Sequence, residues 1–456
     1  MPELKDKKQL AAIAQATAKG YELVQHRSVT YIPVHWQTYN VEPLPPLSER
    51  VWAPLVVQEK QQLAFKHDVL FANPSELHSF DFMLQQWAQQ RTQVIDTILV
   101  RTGTGLMKLD ELGELVDHDG EFTPNYLRPM LNTNQADKDE VFKVLVEWLG
   151  NDEEATSLLH HVATALAPGY SAVKYVLLIG EGRNGKGVLL AMIKALFGAW
   201  NISSISRQSM AETSPVVTEL NGKLLNVIFD GQEGYIKDSS SEKTLIAGEP
   251  LAIRKLYENA TTEVQTNALF IEALNNEPKS RDKSPALMKR LVRFQFPNVY
   301  PQDKAFHKHM TSEKMLGAFL ALLIDHYVME SEVAEKLAPT GKSLELQVEQ
   351  AWLNSPVLQY LEYVYTQDPN KLDEVTGGQM ELDTFMASFV PWMQAQGHSE
   401  RSTADLVNML KTHFDINWKV KKINGKPVNK KRLRSVKAET ELAINQMKGN
   451  SNAEPE

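Results

Sequence analysis

Between residues 174 and 298, short unbroken apolar runs alternate with stretches of helical spacing. The runs 175–179, 224–229, 267–274 and 291–296 each read as a strand buried on both faces, which predicts an α/β fold with a parallel sheet covered by helices. Upstream, Phe142, Leu145, Val146 and Leu149, then Leu158, Leu159, Val162 and Leu166, recur at helical spacing over 138–167, with a break near Gly150. Residues 4–19 predict a short helix, whereas Pro33, Pro43, Pro45, Pro46 and Pro54 are expected to resist regular structure. From 60 to 135 the pattern is mixed, with a strand around 97–101 and a turn at 117–120. Helical spacing returns over 314–337. After 350 it predicts helices near 356–366, 381–396 and 403–414, the last with Ser402 and Asp405 as an N-capping pair. A hairpin follows, with Asn424-Gly425 at its tip, and no internal repeat is present.

A chain of 456 residues exceeds one compact core, so about three domains are expected. The pattern shifts place an accessory region at 1–95, a mixed and helical region at 96–173, an α/β domain at 174–345, a further module at 350–440 and a polar, disordered tail at 441–456. The net charge of −9 argues against a chain that coats nucleic acid throughout; any such contact must come from local basic patches. The absence of cysteine excludes disulfides, thiolate metal sites and cysteine nucleophiles. The N-terminus MPELKDKKQL lacks a secretory layout, and the apolar run 315–324 stops at Asp325, too short to span a bilayer. The expectation is a soluble, cytoplasmic protein without membrane contact.

Directly after the run 175–179 stands Gly180-Glu181-Gly182-Arg183-Asn184-Gly185-Lys186, the G-x-x-x-x-G-K half of a phosphate-binding loop. Glycines let the backbone curl so that successive N–H groups point at a phosphate, Lys186 supplies a cation, and the following helix dipole favours negative charge. The position of the customary Ser or Thr metal ligand is held by Gly187, so nucleotide binding is better supported than efficient hydrolysis. Downstream, the run 224–229 ends in Asp230, with Glu233 three residues on. Such acids can hold Mg²⁺ and orient the attacking water, although a strand end carrying an Asp is also an ordinary solvated feature. The run 267–274 ends in Asn275, an amide able to reach a γ-phosphate, and Lys289-Arg290 precedes the final run.

In this order the motifs GEGRNGKG (180–187), LLNVIFDGQEG (224–234), GEPLAIRKLYEN (248–259) and ALNNEPKSRDKSPALMKRLVRFQF (273–296) resemble the superfamily 3 helicases. These are AAA+ ATPases of phage and plasmid primase–helicase proteins and of some DNA viruses. Asn275 with Pro278 matches the family's N-x-x-P signature, and Lys289-Arg290 its paired basic step. FTPNYLRPML (122–131) resembles the region that precedes the motor. The resemblance implies a ring, expected to be a hexamer, with ATP and Mg²⁺ bound between subunits. It assigns phosphate binding to Lys186, metal and water to Asp230 and Glu233, a sensor role to Asn275, and a finger acting on the neighbouring subunit to Arg290. It places Arg254 and Lys255 near a hairpin that faces DNA in the central channel. Asp230 stands where Glu is common.

Residues 419–437 carry nine Lys and Arg and no acid. Lys419, Lys421, Lys422, Lys430, Lys431 and Arg432 fall on the expected hairpin, as in a winged-helix module, and could neutralise DNA phosphates; a solvated basic hairpin is the plainer alternative. Other features take plain readings. Asp117-His118-Asp119 reads as an exposed turn, His160-His161 as two faces of one helix, and Thr102-Gly103-Thr104-Gly105 as a loop. Trp36, Trp52, Trp87, Trp148 and Trp200 read as core or edge residues. The function expected is an ATP-dependent replicative helicase acting on single-stranded or forked DNA. A weakly hydrolysing DNA loader or initiator and a small-molecule P-loop kinase are the alternatives.

Overall fold

A computed structural model describes residues 7–26, 29–35, 49–55, 74–90, 97–118, 122–231, 239–254, 261–275, 287, 290–346, 355–367, 381–396, 406–407, 410–411, 414–423, 426–436 and 440. The chain forms two compact units, Met1–Ser343 and Leu344–Glu456.

The first unit opens with α1 (Lys7–Gly20), β1 (Val24–His26), β2 (Val29–His35), β3 (Arg50–Pro54), α2 (Pro74–Trp87) and β4 (Gln89–Gln90), the strands ordered β3-β2-β1-β4. Leu10 and Ala14 of α1 and Phe80 and Leu84 of α2 bury against Ile32 and Val34 of β2. Two prolines expected to resist regular structure lie in strands here. Pro33 pairs with Trp52, but β1 reaches only as far as Tyr31, so a residue lacking an N–H fits on the side left open. Pro54 ends β3, an edge strand.

A second sheet, β5 (Ile98–Thr102), β6 (Gly105–Leu109), β7 (Leu115–Asp117) and β8 (Tyr126–Met130), runs in the order β7-β6-β5-β8. Its alternation splits it between two cores. Leu99, Leu106 and Tyr126 join the cluster of Leu10 and Phe80, while Ile98, Val100, Leu109 and Leu127 face the central core. Thr102 and Gly105 flank the tight turn between β5 and β6. His118 follows β7 and is buried, which corrects the expected exposed turn; Asp119 lies outside the described residues.

Two helices, α3 (Gln135–Leu149) and α4 (Asp152–Ala163), break at Gly150 in the left-handed region (φ 95°), and the Asn151 side chain caps α4 by accepting from the Glu154 N–H. As the helical period requires, the adjacent histidines diverge. His160 is half-buried, its ring 5.3 Å from that of His326. His161 is fully buried, edge-on to Phe294, and burial pushes its imidazole down to about 4. Of the tryptophans, Trp52 and Trp148 are buried, whereas Trp87, at the end of α2, is 45% exposed.

The central sheet contains β9 (Tyr175–Ile179), β10 (Ile202–Ser203), β11 (Leu225–Ile228), β14 (Leu269–Leu274) and β15 (Leu291–Gln295) in the order β10-β11-β14-β9-β15, all parallel. Between them come α5 (Lys186–Phe197), α6 (Arg207–Ala211), α7 (Ser240–Ile246) and the antiparallel hairpin β12 (Leu251–Arg254) with β13 (Thr261–Val264). Val176, Leu178, Ile271, Ala273, Val292 and Phe294 pack with Leu189, Leu190 and Ile193 of α5 on one face. Tyr175, Leu177, Phe270 and Leu274 pack with Met210, Leu245 and Ile246 on the other. This is the α/β sheet covered on both faces that the apolar runs predict.

The unit closes with α8 (Lys304–Met310), α9 (Glu313–Asp325) and α10 (Val333–Lys336). The helix expected over 314–337 stops at Asp325. Tyr327 and Val328 turn into the interior, and the Glu332 carboxylate accepts the Met329 N–H at 3.1 Å to start a new turn. Among the described residues, no helix is long and apolar enough to cross a membrane.

The second unit holds α11 (Pro356–Gln367), α12 (Leu382–Ala395) and an antiparallel pair, β16 (Phe414–Ile423) and β17 (Lys426–Val436). Val357, Leu361, Phe385, Phe389, Leu410 and Phe414 form its core. Ser402, Asp405, Asn424, Gly425 and residues 441–456 lie outside the described residues.

Candidate functional site

The loop after β9 needs Gly180 and Gly185 for steric reasons. A Cβ on Gly180 (φ 156°) would lie 2.4 Å from Asn184 Nδ2 and 2.6 Å from the Phe296 carbonyl oxygen. One on Gly185 (φ 97°) would lie 2.6 Å from the Trp148 indole. Arg183 itself adopts a left-handed φ of 63°, a strained conformation of the kind that clusters at functional sites. The bend is fastened from outside. The Tyr300 N–H donates to the Arg183 carbonyl at 2.7 Å, and the Tyr300 hydroxyl and Asn298 Nδ2 donate to the Glu147 carbonyl at 2.9 and 3.0 Å. Asn184 is buried, whereas Glu181, Gly182, Arg183 and Gly187 are exposed.

Helix α5 begins at Lys186, so its free N–H groups and positive dipole end open onto the bend. Lys186 is buried and donates to the Gly180 carbonyl and, at 3.4 Å, to that of Glu181. Burial holds its ammonium below the usual lysine range. A phosphate beside it would accept from the same donors and favour the charged ammonium, so an anionic phosphate group fits this cradle.

Three parallel strands end at the same edge. Ile179 pairs with Leu274, Ile228 with Glu272, and the Gly180 and Gly231 N–H groups donate to Leu274 and Ala273 at 3.2 and 2.9 Å. The bend, Asn275 and Asp230 therefore line up, with Asn275 between the other two; both side chains are exposed. Glu233 lies outside the described residues, as do Lys289 and Lys255. Arg290 stands at the opposite edge, where its carbonyl accepts the N–H of Tyr175, the first residue of β9, and its side chain is half-buried. The five residues of β9 thus separate it from its own phosphate bend by roughly 17 Å.

Arg254 ends β12 and is exposed. In the second unit, the β16–β17 register sets Lys419 opposite Lys430, Trp418 opposite Lys431, Asn417 opposite Arg432, Lys421 opposite Val428 and Lys422 opposite Pro427.

A divalent ion finds fewer donors. Asp230 offers a carboxylate, Gly187 offers no side-chain donor, and no group of three His, Asp or Glu arranged to hold a metal ion exists among the described residues. Mg²⁺ takes one or two carboxylates plus substrate phosphates, so this set fits it. A Cβ on Gly187 would meet nothing within 4 Å. On the ATPase function proposed below, Gly187→Thr is expected to leave the fold intact and, by supplying a hydroxyl, to lower the Mg²⁺ concentration that half-saturates turnover by about tenfold. A magnesium titration at fixed ATP checks it; an unchanged midpoint would mean that the metal does not sit beside residue 187.

Three residues essential to this geometry escaped the sequence reading: Trp148 and Tyr300 as braces of the bend, and Glu272 beneath the strand tips. Glu272 left a signal, because a carboxylate inside a run buried on both faces must find a partner.

Comparison with known proteins adds an outline. The profile of a family described only as one of unknown function, DUF5906, matches residues 178–290, which include the phosphate bend, Asp230, Asn275 and Arg290. No curated protein matches. Among solved structures, the A-form apo structure of the C-terminal region of NrS-1 is similar, with a TM-score of 0.50 and 14% identity, over 95% of this chain and 100% of that one. The likeness is one of fold. Two further apo structures of the same region align with TM-scores of 0.48 and 0.46 at 14% and 15% identity, over 94% and 95% of this chain and all of each.

Proposed function

We propose that this chain is an ATP-dependent DNA helicase of a phage or plasmid replication system, a superfamily 3 motor of AAA+ type acting as a ring, hexameric by family resemblance, on single-stranded or forked DNA. The observation that carries the reading is the split of its chemistry between two edges of one parallel sheet. The phosphate bend, Asn275 and Asp230 share one edge, and Arg290 stands at the other, out of reach of its own Lys186. A nucleotide held at one edge could receive the Arg290 guanidinium only from a second copy.

The residues then take these roles. Backbone N–H groups of 182–187 and the Lys186 ammonium hold the phosphates. Asp230 would hold a metal ion, which would supply neutralisation of phosphate charge at this edge. Glu233 would orient water, Asn275 sits where its amide can meet the γ-phosphate, and the neighbour's Arg290 stabilises transition-state charge. The exposed Arg254 on the β12–β13 hairpin and the basic ribbon β16–β17 of a winged-helix-like second unit supply contacts to DNA phosphates.

Gly187 favours a second reading, a nucleotide-dependent loader or initiator that turns over slowly. Strand displacement on forked DNA, with ATPase measured in parallel, separates the two. The parent is expected to unwind and to hydrolyse faster with DNA present, and Lys186→Ala to lose both by about 100-fold. Unwinding by Lys186→Ala at the parent rate would refute the site; nucleotide binding without DNA-stimulated turnover in the parent would leave the loader.

A further inference from the structure

Four buried polar side chains form a chain of contacts beneath the nucleotide edge. The Tyr175 hydroxyl on β9 donates to Glu272 Oε2 on β14 at 3.1 Å. The Arg207 guanidinium on α6 lies 5.5 Å from the Tyr175 ring centroid and forks onto Glu242 of α7 at 2.7 and 3.4 Å. None of the four is more than 4% exposed. Burial and the Glu272 carboxylate both raise the Tyr175 phenol well above its ordinary value, so it stays a donor.

Stability does not explain such a cluster. A buried ion pair gains about as much from attraction as it loses in desolvation, and an apolar pair of the same volume holds a fold equally well. What a forked, hydrogen-bonded pair supplies is fixed geometry. Both ends of this one touch elements with assigned roles. Glu272 lies three residues before Asn275, and its Oε1 lies so close to Gly231, the neighbour of Asp230, that a Cβ there would come within 2.3 Å. At the far end, α7 ends at Ile246 and β12 begins at Leu251, with only residues 247–250 between. That short link is itself fixed, since Gln265 Nε2 donates to the Gly248 carbonyl at 3.1 Å and Ser171 Oγ to that of Ile246 at 2.8 Å.

We propose that Tyr175, Glu272, Arg207 and Glu242 are positioning residues that transmit the state of the nucleotide edge to the β12–β13 hairpin. The inference rests on the reading above of an ATPase whose hairpin meets DNA. Loss of the Tyr175–Glu272 or Arg207–Glu242 contact breaks the polar chain between β14 and α7 and leaves only the apolar packing of Leu245 and Ile246, so the hairpin follows the phosphate edge less closely.

The full chain is assayed with ATP and Mg²⁺, with and without an oligothymidylate strand, as parent, as Tyr175→Phe, and as the double variant Arg207→Met/Glu242→Leu. The double variant avoids leaving a lone buried charge. Both variants are expected to keep the parent's nucleotide affinity and DNA-free turnover and to lose about fivefold or more of the stimulation by DNA. Parent-like stimulation in both overturns the inference and leaves the helicase reading standing. An equal loss of DNA-free and stimulated turnover also overturns it, because that is what a merely structural role would give, and so does failure of both variants to fold. A parent without DNA-stimulated turnover removes both.

Discussion

Mixing Arg290→Ala subunits with Lys186→Ala subunits is expected to restore turnover that neither supports alone. In the proposed ring each site draws Lys186 from one copy and Arg290 from the next. Either substitution by itself disables every site, and removal of a trans arginine costs about 10³-fold or more in rate. In a one-to-one mixture, about a quarter of the interfaces join an intact Lys186 to an intact Arg290, and those sites turn over. Steady-state ATPase as a function of mixing ratio measures it, with subunit exchange verified by light scattering of tagged copies. The geometry behind the expectation is the placement of Arg290 beside Tyr175, at the start of β9, while Lys186 follows its end. Flat activity across all ratios in verified mixed rings would remove the shared site, as would an Arg290→Ala protein that turns over normally.

Gly185→Ala should damage both the fold and the site. The added methyl would sit 2.6 Å from the Trp148 indole, and the residue would have to hold a φ of 97°. Overpacking costs about 1–3 kcal/mol and a left-handed alanine about 1–2 kcal/mol, so a loss near 3 kcal/mol is expected. Trp148 has little room to give way, being buried with its ring 6.3 Å from Phe306. Calorimetry should record a melting temperature lower by several degrees, with weakened nucleotide binding. Gly182→Ala is the control, since a Cβ there meets nothing within 4 Å. Equal melting temperatures for the two would show that the indole yields freely.

The parts of this fold written into the sequence were those that bury surface on both sides. β9, β11, β14 and β15 sit within a few residues of their apolar runs because a short apolar run suits a strand covered on both faces. The two-residue β10 and the amphipathic β12 leave no comparable trace. Strand order was not legible either, because an apolar run does not name its neighbour, and the insertion of β14 between β9 and β11 is what brings Asn275 beside the bend. In the site, the glycine spacing announced the bend, while its braces lie far away in sequence, Trp148 before it and Tyr300 after it. His118 misled because its glycine-flanked setting suggested exposure, whereas its ring is buried. Charged residues inside apolar strands were the underused signal. Glu272 in LFIEAL and the fully buried Arg293 in LVRFQ, whose Nη1 reaches the Leu291 carbonyl at 3.2 Å, could only be where they are by making polar contacts.

The fastening of the bend to Glu147 and Trp148 bears on how the portion carrying it could be excised. A fragment starting at β9 would keep the four motifs from 180 to 296 yet lose the indole against Gly185 and the carbonyl that anchors Tyr300 and Asn298. Its phosphate cradle would be a loose ribbon. The smallest autonomous piece must therefore start ahead of α3, and a shorter fragment found inert would say nothing about the chemistry of the intact chain.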